Sequence, residues 1–139
     1  MTIAEIEALM DTQFPDWRSF SNIEGLADDV ITLRMPFKTT LLRAGGTVSG
    51  PALMGLADTA AYFITLALAG PVLHAATSSL AINFLARPQP GDVIAVARML
   101  RLGRRLAVST VEMRSQGSED LVAHATVTYA LPGAASGMA

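Results

Sequence analysis

Between Gly45 and Gly70 a Gly/Ser/Pro segment opens into roughly twenty apolar residues in which the only charged side chain is Asp58. The run reads Ser49-Gly50-Pro51-Ala52-Leu53-Met54-Gly55-Leu56-Ala57-Asp58-Thr59-Ala60-Ala61-Tyr62-Phe63-Ile64, then small and aliphatic residues up to Gly70-Pro71. Ser49 suits an N-cap, and Pro51 falls in the first turn, where its missing N–H costs nothing. Gly70 followed by Pro71 ends the helix. A helix apolar all round is expected to be buried on every side, in a bilayer or under a wrapping sheet. Its length suits a membrane span. However, an Asp at helix depth is costly in hydrocarbon, and the residues that follow alternate as strands with polar turns. The expectation is therefore a core helix and no membrane partner.

With 139 residues the chain reads as a single domain, 1–139, able to bury about two thirds of its unfolded surface, with a disordered tail from about 132 to 139. A net charge of −2 provides no basic field for nucleic acid. The absence of Cys excludes disulfides, thiolate nucleophiles and zinc–thiolate sites. His74 and His124 are too scattered for a His-based metal site, so no metal is expected. Glu5, Glu7 and Asp11 stand where a signal peptide would carry basic residues, which points to a cytoplasmic protein.

Thr2 and Glu5 fit a capping box, and Ile3, Ile6, Leu9 and Met10 stripe a short helix ending near Phe14-Pro15. Trp17 to Glu24 reads as a first, weak strand. Val30 to Phe37 reads as a half-buried one, because Ile31, Leu33, Met35 and Phe37 alternate with polar residues. After the long helix come strands near 74–86, 92–102, 104–114 and 120–131. Pro88-Gln89-Pro90-Gly91, Gly103 and Gln116-Gly117-Ser118 separate them and predict hairpins between neighbours. The fold class is α+β: an antiparallel sheet wrapped around one long central helix.

This order resembles the hotdog-fold thioesterases of the PaaI type. The resemblance runs from about residue 30 to 131 and rests on Leu56-Ala57-Asp58-Thr59-Ala60 on the helix, Ala81-Ile82-Asn83-Phe84-Leu85-Ala86-Arg87-Pro88 on the next strand, and Gly91-Asp92 before another. It implies an acyl-CoA thioesterase acting as a homodimer or dimer of dimers, with no cofactor beyond the coenzyme A of its substrate. The family usually opens the helix with His-Gly-Gly; here those positions read Ser49-Gly50-Pro51. Where several members carry a substrate-facing Asn, this chain has Arg43. The helix carboxylate Asp58, the first Gly (Gly50) and a strand hydroxyl (Ser79, by the register of Asn83) match. Ser49, Tyr62, Ser78 and Asn83 are the further substrate-facing candidates. The departures leave open a second reading, a non-catalytic acyl-CoA-binding protein of the same fold.

The chemistry fits the residues. Thioester hydrolysis needs a base or nucleophile and a donor for the developing oxyanion, and little acid help, since a thiol of pKa about 8.5 leaves readily. Asp58 can be the base or nucleophile. The Gly50 N–H, unpaired at the helix start and reinforced by the dipole, can polarise the carbonyl. Ser79 can orient water. Eight residues separate Gly50 from Asp58, roughly 12 Å along the axis at 1.5 Å per residue. One helix can hardly aim both at one carbonyl, whereas two antiparallel helices across a two-fold axis can, which predicts intersubunit sites.

Simpler roles exist for each residue. A dipole contact would give Asp58 only about 0.3–1 kcal/mol, which is small beside the cost of burying a lone carboxylate. Ser49 reads first as a plain N-cap rather than a catalytic group. Ser78, Ser79 and Asn83 can hydrogen-bond within a strand, and Arg43 can be solvated. Arg87, Arg104 and Arg105 are candidates for the phosphate-bearing end of coenzyme A or solvated turn residues.

Overall fold

The structure is a computed structural model that describes residues 1–132; the expected disordered tail falls almost entirely outside them. Helix α1 (Ile3–Gln13) carries the full capping box, Thr2 Oγ1 taking the Glu5 N–H and Glu5 taking the Thr2 N–H, and it buries Ile6 and Met10. A short helix, α2 (Trp17–Phe20), then leads into β1 (Asn22–Ala27) and β2 (Val30–Met35). The first strand thus starts later than its sequence suggests. Trp17 Nε1 and the Arg18 guanidinium both bond the Asp11 carboxylate, which winds Trp17–Phe20 into a turn against α1 rather than an extended segment.

The long helix, α3 (Gly50–Ala69), is followed by β3 (Ala76–Phe84), β4 (Val93–Leu102), β5 (Leu106–Ser115) and β6 (Leu121–Ala130). Ser49 Oγ accepts the Ala52 N–H at 3.2 Å, and Gly70, at φ 93°, closes the other end. All six strands form one antiparallel sheet in the order β1-β2-β4-β5-β6-β3. The segment Pro88–Gly91 is therefore not a hairpin turn. It carries the chain across from β3 at one edge to β4, which pairs with β2. The expected hairpins at Gly103 and Gln116–Ser118 do form, joining β4 to β5 and β5 to β6.

The sheet packs around α3. Leu53, Leu56, Ala57, Ala60, Ala61, Phe63, Ile64 and Leu66 of the helix meet the inward residues of the strands, Ile31, Leu33, Met35, Val93, Ala95, Ala97, Val111, Met113, Ala123, Ala125 and Val127. This is the hotdog architecture. Burying such side chains at about 25 cal/mol per Å² is what holds a helix with so few polar side chains in place. Burial is not complete on every side, however. Pro51, Met54, Gly55, Asp58, Thr59 and Tyr62 form a partly or fully open stripe, at spacings of three and four residues that place them on one helix face. The helix has the length and hydropathy of a bilayer span, and here half of its residues are buried in the protein.

Candidate active site

Asp58 lies on that open stripe. Its Oδ1 accepts two hydroxyl hydrogen bonds, from Thr77 on β3 at 2.6 Å and from Tyr129 on β6 at 2.7 Å. The Tyr129 oxygen also lies 3.1 Å from the Asp58 main-chain carbonyl oxygen. Both side-chain bonds fall on Oδ1, so Oδ2 is the oxygen left for substrate or water. Bonds from hydroxyls to an ionised carboxylate are short and among the stronger ones a protein makes. Burial above all, and then the neighbouring carboxylate, push the Tyr129 phenol well above the usual tyrosine range. It therefore stays protonated, and a donor, at any ordinary pH.

Asp58 and Tyr129 open onto a cavity of about 450 Å³ bounded by α3 on one side and by α1, α2 and Ser21 on the other. Its walls are aromatic. Tyr62 leans on Tyr129 with ring centroids 5.6 Å apart, and Trp17 meets Phe63 edge to face at 5.6 Å. Phe14 and Phe20 belong to the α1–α2 wall. Tyr62 itself donates to the Leu73 carbonyl at 3.2 Å, and burial raises its phenol pKa too. Ser21, also in the wall, is 1 % exposed, and its Oγ is the one buried side-chain oxygen without a partner among the described residues.

The strand hydroxyl on the carboxylate is thus Thr77 and not the expected Ser79. A β-bulge causes the exchange: Thr77 pairs with Tyr129 and Ser79 with Thr128, leaving Ser78 as the extra residue. Directly opposed residues share a sheet face, so Thr77 points with buried Tyr129 toward α3. Ser79 is turned to the outer face with Thr128, and Asn83, opposite His124, shares that face. Ser78, Ser79 and Asn83 are all exposed and, within one protomer, do not reach Asp58. Neither Thr77 nor Tyr129 stood out in the sequence. The signal that would have found Tyr129 is its place as the sole Tyr on the last alternating strand, on the buried parity.

Gly50 lies in a different depression, a groove of about 320 Å³ lined by Arg43, Thr47, Val48, Gly50, Leu53, Phe84 and the Ala86–Pro88 segment. It shares no residue with the Asp58 cavity. A Cβ on Gly50 would come within 3.4 Å of the Phe84 ring, so the bare backbone lets the ring lie against the helix start. As the first residue of α3, Gly50 has no helical acceptor for that N–H. Ser49 acts here as the N-cap. Arg43 and Arg87 both line this groove. Arg104 and Arg105 sit elsewhere, with Arg101 in a shallow depression at the β4–β5 turn. Among the described residues none of these five arginines forms an ion pair, and no cluster of three His, Asp or Glu side chains could hold a metal. Asp92 of the quoted Gly91-Asp92 pair is structural: it accepts the Phe37 N–H at 2.7 Å and pairs with Arg34 at 3.0 Å.

Comparison with known proteins adds the family. A family model of the thioesterase superfamily matches residues 45–122, more than half of the chain. The crystal structure of a candidate thioesterase from Silicibacter sp. TM1040 is 36% identical, with a TM-score of 0.87 over 95% of this chain and 92% of that one. A phenylacetic acid degradation-related candidate thioesterase from Ralstonia eutropha JMP134 shares the fold at 23% identity, with a TM-score of 0.76 over 84% of this chain and 89% of that one. So does zebrafish thioesterase superfamily member 2, at 20% identity and a TM-score of 0.81 over 94% and 99%. No curated protein matches the sequence. The matched span contains the start of α3, Asp58 and Thr77, and with the 36% identical relative it establishes that the chain belongs to the thioesterase superfamily.

Proposed function

We propose that the protein hydrolyses acyl-CoA thioesters with an aromatic or short-to-medium acyl group, in a site shared by two chains. The observation that carries this reading is the Asp58 carboxylate, tied through Oδ1 to Thr77 and Tyr129 on the wall of an aromatic cavity, with Oδ2 left over. In the general-base form, Oδ2 takes a proton from water as the water oxygen attacks the thioester carbon. The oxyanion formed is met by the Gly50 N–H at the positive end of α3. Collapse breaks the C–S bond, and the thiolate of coenzyme A leaves, to be protonated by Asp58 or solvent. In the nucleophilic form, Oδ2 attacks the carbon itself, the C–S bond breaks with loss of the coenzyme A thiolate, and water then hydrolyses the resulting anhydride to the free acid and the Asp58 carboxylate.

The separation of the two depressions supports a two-chain site. Asp58 and Gly50 stand about 12 Å apart along one helix, in cavities that share no lining residue. The open stripe of α3 and the exposed edge strand β3, with Phe84 and Leu85 more than half exposed, offer the apolar face a homodimer would cover. Two antiparallel helices on a two-fold axis bring each Asp58 to the other chain's Gly50. Arg43 and Arg87, beside Gly50, and Arg104 and Arg105 at the β4–β5 turn are assigned to the anionic parts of coenzyme A. Ser49 supports the helix start, and Tyr62 lines the acyl cavity; Ser78, Ser79 and Asn83 lie on the edge strand, where a second chain would meet them. No metal enters the mechanism.

The test is steady-state hydrolysis of an acyl-CoA panel by wild type and Asp58→Asn, with binding of non-hydrolysable thioether analogues measured in parallel. The amide keeps the shape and loses the base, so kcat should fall by about 10²–10⁴, the range for general-base catalysis, with analogue affinity retained. Near-wild-type turnover in the variant eliminates Asp58. Binding without any turnover in wild type would favour a non-catalytic acyl-CoA-binding protein.

A further inference from the structure

The structure assigns the limit on acyl size to Phe20, held against Gly55 in the wall of the Asp58 cavity. This rests on the acyl-CoA reading above and deepens it. The cavity is one that a single substituent on an acyl group would fill: about 450 Å³, inside the usual range for small-ligand pockets, and mainly apolar. One of its walls is the helix that carries Asp58. The other is the N-terminal segment, from Met10 through Phe14 and Trp17 to Phe20 and Ser21.

The two walls meet at Phe20 and Gly55. A Cβ built on Gly55 would lie 3.4 Å from Phe20 Cζ and 4.0 Å from Cε2. The ring tip therefore rests on the bare helix backbone one turn before Asp58. A glycine in a helix interior is unfavourable by about 1 kcal/mol relative to alanine, and here the space between its backbone and the ring would take a methyl in van der Waals contact and nothing larger. The rest of the N-terminal wall is staked down. Trp17 Nε1 bonds Asp11 at 2.8 Å, Arg18 bonds both oxygens of the same carboxylate at 3.1 Å, and Lys38 Nζ donates to the Ser19 carbonyl. Trp17 is buried against Phe63. Phe20, only half-buried, has no polar tether and is the side chain in this wall whose size sets the gap over the helix.

The chemical class that fits is an acyl group of apolar, preferably ring-like shape, entering with its thioester carbon near Asp58 and its far end toward Phe20. Hydrophobic pockets discriminate by about 10–200-fold per methylene added or lost. Shortening Phe20 should therefore admit longer acyl groups, and enlarging residue 55 should exclude those that wild type accepts.

The experiment measures kcat/KM over a series of straight-chain and aryl-acyl CoA thioesters for wild type, Phe20→Ala and Gly55→Val, and Kd for the matching thioether analogues. Phe20→Ala should raise the ratio of long to optimal substrate by about tenfold or more, chiefly through KM. Gly55→Val, which drives the ring off its landing and into the cavity, should move the optimum the other way. Gly55→Ala, whose methyl would meet the ring at 3.4 Å, is the folded control and should shift the profile less than Gly55→Val. An unchanged chain-length profile in both Phe20→Ala and Gly55→Val overturns the assignment, as does a profile that shifts in the same direction in both. If wild type hydrolyses no thioester, the acyl-CoA hydrolase reading fails, and the thioether affinities decide the Phe20 assignment by themselves: opposite size shifts in the two variants uphold it, and unchanged affinities overturn it.

Discussion

The two depressions along α3 differ in nearly every physical respect. The one at Asp58 is roofed by aromatic rings and contains a carboxylate; the one at Gly50 is flanked by Arg43 and Arg87 and contains an unpaired main-chain N–H. One suits an apolar group and can take a proton, and the other suits negative charge. A thioester of coenzyme A has both ends, an apolar acyl group and a polyanionic carrier, with the reacting carbonyl between them. Neither depression alone accommodates the whole molecule, and that complementarity is the physical content of the two-chain proposal.

The largest effect should come from forcing the two depressions apart. Gly50→Trp, which fills the groove beside Phe84, and Asp58→Asn should each give a folded, inactive homodimer. In a mixed dimer one site collects both lesions and the other neither, so about half of wild-type activity per dimer should return. Purified heterodimers with no recovered turnover would show that Asp58 and Gly50 do not meet across an interface.

A smaller effect tests the Asp58 side alone. Tyr129→Phe removes one of two donors from Oδ1 and should lower kcat about tenfold, the equivalent of one hydrogen bond to a charged group, with KM little changed. The same variant carries a pH signature. The folded pKa of Tyr129 lies above its unfolded value, so its neutral form contributes stability that is fully present below about pH 10 and is lost as pH rises beyond it. Denaturant titrations should show wild type weakening above that pH and Tyr129→Phe weakening less. Identical alkaline curves would disprove the link.

The smallest effect probes the cationic side. Replacing Arg104 and Arg105 with Ala should raise KM for CoA thioesters by roughly two- to fivefold, the size expected of exposed ion pairs, and leave KM for pantetheine thioesters, which lack the nucleotide, unchanged. Equal shifts on both substrates would return these arginines to the solvated surface.

Much of this was legible in the chain. The Ser49 cap, Pro51 and Gly70 mark the ends of α3 to within a residue, because capping is local chemistry. The alternation in β2, β4, β5 and β6 is equally direct. Three things were not legible, each for a physical reason. The crossing of β3 to the far edge depends on long-range pairing that no turn motif encodes. The open stripe of α3 is hidden because Met54 and Leu68, on open faces, are as apolar as Leu53 and Leu66 in the core. And the hydroxyl on Asp58 was displaced from Ser79 to Thr77 by one extra residue in β3, which a period-of-two count cannot detect.

That extra residue makes β3 two strands in series with opposite parity. Before Ser78 the odd-numbered Thr77 faces the helix; after it, the even-numbered Leu80, Ile82 and Phe84 do. The junction falls inside Thr77-Ser78-Ser79, three hydroxyl residues in a row. Sliding the bulge one position earlier would offer Ser78 to Asp58 in place of Thr77, and every pairing beyond Ser79 would stay where it is. The carboxylate's partner is therefore specified by a run rather than by a single position, a redundancy that lets this part of the strand drift in register without leaving Asp58 facing an apolar side chain.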